Sequence, residues 1–156
     1  MGEATCFPPR GYLFAHRDAP APFEHELIES LQCAARLRLR EMVEIARGKS
    51  IYRNLECFSP DKVIPVKQNE YSIITAIGVI SVGAAPITIF DQVFDLLPQN
   101  GLFAFSFNEH SLMDPEYSLK VEETVEEKKA EQLFCELGPH ILKRDLRSMV
   151  YVIKKL

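Results

Sequence analysis

The sequence predicts an α/β fold: a mostly parallel sheet with an antiparallel pair of strands at its C-terminal end, and an added N-terminal helix. Three observations carry that expectation. The run Ile73-Ile74-Thr75-Ala76-Ile77-Gly78-Val79-Ile80 is rich in β-branched residues and nearly without polar alternation, the pattern of a strand buried on both faces. Helical and strand periodicities alternate after it, as crossover connections require. Near the C-terminus, Gln132 to Leu137 and Ser148 to Lys154 both have strand character and are close enough in sequence to pair antiparallel.

Each element has its own signal. From Met1 to Pro22, four prolines and two glycines stand among few aliphatic residues, so 1–22 reads as a flexible arm ahead of one domain over 23–156. From Phe23 to Arg47, Leu27, Ile28, Leu31, Ala35, Leu39, Met42, Val43 and Ala46 recur at three- and four-residue steps, which predicts one amphipathic helix stopped at Gly48. Within it, Arg36-Leu37-Arg38-Leu39-Arg40 is flanked by glutamates and reads as a solvated face. Ile51 to Cys57 can form a strand, and Tyr71 to Val82 holds the buried one.

Pro86 opens a helix with Ile87, Phe90, Phe94 and Leu97 on one face, and Pro98-Gln99-Asn100-Gly101 ends it with turn chemistry. Leu102 to Phe107 is the next strand. Asp114 and Pro115 stand where an N-cap and a first helical residue belong, ahead of a polar helix from about Glu116 to Lys129.

Bulk properties narrow the function classes. A chain of 156 residues with 47% apolar and 26% charged residues holds one soluble domain. A net charge of -4 and a pI near 5.6 lack the broad basic footprint of a phosphate-backbone binder, so nucleic acid is not the expected partner. No window approaches the roughly 18 apolar residues of a membrane-spanning helix. Met1 to Pro22 has no apolar core of the secretory type, so the expected compartment is cytoplasmic or nuclear. Cys6, Cys33, Cys57 and Cys135 are widely spaced without histidines at zinc-like intervals, and no metal site is expected. His110 follows the strand at Leu102 on the rim of the sheet, where a lone loop histidine is more often idle than catalytic. His16, His25 and His140 accompany no nucleophile motif.

The run Glu41-Met42-Val43-Glu44-Ile45-Ala46-Arg47 resembles the helix after the second strand of class I S-adenosylmethionine-dependent methyltransferases. Tyr71-Ser72-Ile73-Ile74-Thr75-Ala76-Ile77-Gly78-Val79-Ile80-Ser81 is similar to that family's fourth strand. The helix ending in Leu96-Leu97 and the strand Gly101-Leu102-Phe103-Ala104-Phe105-Ser106-Phe107 follow in the same order. The match covers about three quarters of the chain, from Glu41 onward, and is closest to methyltransferase-like proteins of the Williams–Beuren region type. It implies an incomplete Rossmann-like sheet, S-adenosylmethionine as cofactor, and an unknown methyl acceptor. The cofactor-binding positions it implies are Phe58, where the family places an adenine-binding aspartate, and Gly78, Ser81 and Gly83 at the end of the fourth strand. On the residues alone, the latter three equally suit a turn that needs small side chains before Pro86.

The departures are as informative as the matches. The family's first strand ends in a Gly-rich loop that lets the backbone approach the cofactor, and its second ends in an acid that holds the ribose hydroxyls, by the logic of dinucleotide folds. No Gly-x-Gly occurs anywhere in this chain. Phe58 can stack on adenine but cannot accept its hydrogen bond, and Ser72 replaces the aspartate usual after the tyrosine of the fourth strand. Two readings result: a methyltransferase impaired by loss of its cradle, or a non-catalytic isoform or pseudoenzyme that binds protein. Loss of the first two strands is expected to leave the strand at Ile73 without its usual neighbour; either the strand at Ile51 to Cys57 slides in beside it through a parallel crossover, or the open edge pairs with a protein partner or a second copy.

Overall fold

Valine, isoleucine and phenylalanine set the frame of this protein, because their stiff or broad side chains pack best on a pleated surface. The computed structural model describes residues 12–16, 34–36, 44, 47–48, 54–56, 63–82, 84–141 and 146–156. In chain order the strands are β1 (Tyr12–His16), β2 (Ala34–Arg36), β3 (Asn54–Glu56), β4 (Ile73–Ile77), β5 (Leu102–Asn108), β6 (Ala130–Ile141) and β7 (Leu146–Lys155). Helix α1 (Thr88–Leu96) joins β4 to β5, and α2 (Glu109–Leu112) with α3 (Pro115–Glu126) joins β5 to β6.

All seven strands form one sheet in the order β3-β2-β1-β4-β5-β7-β6. The α/β class and the antiparallel C-terminal pair are as the sequence predicts. The sheet is nevertheless mixed rather than mostly parallel: β4 with β5 and β2 with β3 run parallel, while β1 runs antiparallel to both its neighbours and β7 to both of its own.

Two N-terminal expectations need correction. Tyr12–His16, inside the expected flexible arm, is a strand: Tyr12 stands opposite Ile77 and His16 opposite Ile73. A strand edge leaves main-chain donors and acceptors open, and pairing them outweighs the weak local preference of a proline-flanked segment. It also fills the β4 edge, which the sequence assigns either to the strand at Ile51 to Cys57 or to a partner chain. The expected continuous helix over 23–47 is interrupted, since Ala34–Arg36 is a strand while Glu44, Arg47 and Gly48 keep helical backbone. The remainder of both segments lies outside the described residues.

The core fills one side of the sheet. Ile74 and Ala76 from β4, Phe103, Phe105 and Phe107 from β5, and Tyr151 and Ile153 from β7 alternate inward and are buried. Helix α1 covers them with Ile89, Phe90, Val93 and Phe94. Phe90 meets Phe105 edge-on at 5.3 Å between ring centroids, and Tyr151 stacks on Phe105 at 5.1 Å. From α3, Tyr117 meets Phe107 edge-on at 5.3 Å. The opposite side carries Ile73, Thr75, Leu102, Ala104, Val150 and Val152, all half-buried. β4 is therefore fully buried on one face only, not on both as its composition suggests.

Local chemistry sets the boundaries. Asn100 takes a left-handed φ of 65° and the Gly101 N–H donates to Pro98 O at 2.9 Å. A Cβ at Gly101 would lie 2.8 Å from that same carbonyl oxygen, so only glycine closes this turn. Asp114 caps α3 by accepting from the Glu116 N–H at 3.1 Å, and Pro115 fills the first helical position.

Burial pushes the Tyr151 phenol up to about 12, helped by the Cys135 side chain across the strand pair and then by Glu122. A phenol whose pKa is higher in the folded state than its ordinary value near 10 favours folding fully below that value. The contribution is lost as pH rises toward the folded value. The thermal midpoint is therefore expected to fall between about pH 10 and 12, and Tyr151→Phe should flatten that fall in melts followed by circular dichroism.

Candidate functional site

In an open α/β sheet, ligands gather where parallel strands end and the chain turns into helices. Here β4 and β5 end at one edge of the sheet, and their exits meet. Gly78 follows β4 with φ of 66°, a conformation costly for any residue with a Cβ. Its N–H donates to Ser106 Oγ at 2.9 Å. The chain then folds back on itself: the Ala84 N–H donates to Ser81 O at 2.9 Å and the Ser81 N–H to Ala85 O at 3.1 Å.

A second hydroxyl holds the far side of this turn. Ser111 Oγ accepts from the Val82 N–H at 3.2 Å and donates to Asn108 Oδ1 at 3.0 Å. Asn108 Oδ1 also accepts from the Ser111 N–H at 2.9 Å, capping α2. Ser106 and Ser111 are both buried, so the β4–α1 turn is tied to the end of β5 at two points.

Of the four cofactor-binding positions that the resemblance implies, Gly78 and Ser81 come together in this one turn. Phe58 and Gly83 lie outside the described residues. Ser81 is buried, and its main-chain N–H and C=O are both used inside the turn. Ser106, Asn108 and Ser111 were missed from the sequence, although Asn108 with Ser111 three residues on has the spacing of a cap and its acceptor's donor. Around the turn, Val82, His110 and Met113 are exposed. Next to it, the Tyr117 phenol is held above its ordinary value by burial, then by Asp114 and Glu116.

Chemically, the rim offers fixed hydroxyls and main-chain dipoles. Among the described residues no group of histidine, cysteine and acidic side chains could hold a metal ion. The direction of β1 bears on the cofactor. Because β1 is antiparallel to β4, its C-terminal residue His16 lies beside Ile73, at the end of β4 remote from Gly78. The connection after β1 thus begins at the edge opposite the turn at Gly78, and the sequence holds no Gly-x-Gly. Of the implied positions, the described rim holds Gly78 and Ser81, and the main-chain N–H of each is engaged within the fold.

No protein-family profile matches the chain, and no curated protein matches it in sequence. Among solved structures it is similar to the [4+2]-cyclase SpnF, with a TM-score of 0.53 at 13% identity over 77% of this chain and 64% of that one. The chain thus spans somewhat under two thirds of SpnF. At that identity the likeness shows the fold alone: a mixed α/β sheet of the methyltransferase-like kind.

Proposed function

We propose that this protein is a methyltransferase-like module that does not transfer methyl groups and acts by binding protein. The observation that carries this reading is the reversed β1. Catalysis of methyl transfer rests on aligning a sulfonium methyl with its acceptor and excluding water. Alignment draws on binding energy from the remote parts of the cofactor, and a strand that exits at the opposite edge supplies none of it. With the cradle gone, the remaining turn is a self-satisfied structural unit, its Gly78, Ser81 and Val82 main-chain donors already engaged.

The second reading is an S-adenosylmethionine-dependent methyltransferase of the Williams–Beuren region type, with an unknown acceptor and with Phe58, Gly78, Ser81 and Gly83 holding the cofactor. It is supported by the sequence resemblance from Glu41 onward and by the SpnF-like fold. A cytoplasmic or nuclear place is consistent with either reading; no helix among the described residues is long and apolar enough to cross a membrane.

Titration calorimetry and thermal shift with S-adenosylmethionine and S-adenosylhomocysteine separate the two. A site with a Kd near 10 μM would stabilise the fold by about 2.7 kcal/mol at about 1 mM ligand, a rise of several degrees in Tm. The non-catalytic reading expects neither heat nor shift at that concentration. Saturable heat with either ligand would overturn it.

A further inference from the structure

We propose that β1 is a releasable latch: together with β2 and β3 it leaves β4 as a unit, and the edge it uncovers pairs with an extended segment of a partner protein. This deepens the protein-binding reading by naming the surface and the chemistry of the partner, and it rests on that reading.

The two sides of β4 are held by different neighbours. In the parallel ladder with β5, the Leu102 N–H donates to Ser72 O at 2.8 Å. Main-chain groups alternate in direction along a strand, so Ser72, Ile74 and Ala76 turn theirs toward β5, while Ile73, Thr75 and Ile77 turn theirs toward β1. These three stand opposite His16, Phe14 and Tyr12. They are therefore the hydrogen-bonded pairs of the β1–β4 ladder, and the main-chain groups of Leu13 and Ala15 turn toward β2.

Beyond β1 the sheet is thin. Among the described residues β1 meets β2 in the single register pair Leu13 and Arg36. β2 and β3 are three residues each and reach the rest of the sheet only through β1. On the other side, β4, β5 and β7 share a core with α1 and α3 that includes Ile74, Phe90, Phe105, Tyr117 and Ile153. Releasing β1 breaks one five-residue ladder, whereas releasing β5 or β7 opens that core. Such uneven stability produces sub-global opening, in which one part of a sheet detaches while the rest stays folded.

What β1 covers is a strand edge fit for binding. With β1 released, Ile73, Thr75 and Ile77 present their N–H and C=O groups in a row along a β-branched strand, and such an edge takes up another strand by main-chain pairing. The ligand that fits is an extended segment of about five residues running antiparallel to β4, with no proline at the three positions that must donate. β1 is itself such a segment, with Pro8, Pro9, Pro20 and Pro22 all outside it. Its covalent tether makes it the competitor that a partner has to displace.

Hydrogen exchange of the full chain under native conditions, read by NMR, should find the amides of Phe14, His16, Ile73, Thr75 and Ile77 opening together. They should open at least about tenfold more readily than those of Ile74, Ala76 and Phe105. One common opening for both sets would overturn the latch. A fluorescein-labelled peptide of residues 11–18 probes the uncovered edge. In the full chain, Phe14→Pro removes the central N–H directed at Thr75, so this variant should bind the peptide at least about tenfold more tightly than the wild-type chain, whose edge is open only part of the time. The bound peptide should slow exchange at Ile73, Thr75 and Ile77, and the same peptide carrying Phe14→Pro should bind neither chain. Equal affinity for the two chains, or binding that leaves those three amides unchanged, would overturn the assignment. The exchange measurement needs no variant and decides alone if Phe14→Pro loses its far-ultraviolet signal. Cofactor binding is measured separately, so saturable heat with S-adenosylmethionine would count against the non-catalytic reading and leave the latch to its own result.

Discussion

Phe105→Ala is expected to lower the free energy of unfolding by about 3–5 kcal/mol, the usual range for emptying a phenylalanine site in a packed core. Phe105 is fully buried at the centre of the sheet. Its ring meets Phe103 at 4.7 Å, Phe107 at 5.2 Å, Phe90 at 5.3 Å and Tyr151 at 5.1 Å between centroids. The first two neighbours are fixed on the same strand and the others are held by α1 and β7, so little can collapse into the void. Against a total stability of about 5–15 kcal/mol for a typical domain, that loss leaves a substantial unfolded fraction at body temperature. Urea unfolding followed by circular dichroism measures it directly. A loss under about 1 kcal/mol would mean that the core had refilled the space.

Lys155→Met is expected to cost about 1–3 kcal/mol, through the far end of a different element. Helix α1 has no basic residue in its own last turn. Its terminal carbonyls are instead met by Lys155, whose Nζ donates to Phe94 O and to Leu97 O, each at 2.9 Å. The same ammonium lies 5.1 Å from the centroid of the Phe94 ring. One cation from β7 therefore completes the open end of a helix and offsets the negative end of its dipole. Methionine keeps the length and apolar stem of lysine while removing the charge and the donors. The neighbouring Lys154 serves as the contrast: its partner Glu131 is half exposed, and Lys154→Met should change stability by less than about 1 kcal/mol. Thermal melts of the two variants side by side test both. Equal effects would show that the α1 cap adds nothing beyond a surface ion pair.

The C-terminal two thirds of the fold were legible because their signals are local. Asp114-Pro115 marks a helix start by cap chemistry, and Asn100-Gly101 marks a turn through φ and close approach. The alternation of phenylalanines at 103, 105 and 107 names the buried face of β5 before any contact is known. The N-terminal part was not legible for the opposite reason. Tyr12–His16 is a strand because β4, some sixty residues further on, presents an edge to it, and no pattern within the segment carries that information. Its antiparallel direction, which decides the reading of the site, is likewise a tertiary fact.

The site divides in the same way. Gly78 and Ser81 were singled out from small residues beside a buried strand, and the structure sets both in the turn that follows it. Ser106 and Ser111, which tie the turn down, act across sequence separations of 28 and 29 residues. A serine in a strand and another in a short helix have no signature that distinguishes a tether from a filler. What the sequence did carry was the absence of a Gly-x-Gly loop.

The aromatic core also determines how this protein can be watched. The chain contains no tryptophan, so its ultraviolet emission comes from tyrosine, and among the described residues Tyr71, Tyr117 and Tyr151 are buried in the core. Two of these lie against Phe107, in asymmetric surroundings that give near-ultraviolet circular dichroism a sharp signature. A loosened state that kept its strands and helices would lose that signature while the far-ultraviolet signal persisted. The optical gap between the two spectra is thus a built-in gauge of side-chain packing, free of any attached dye.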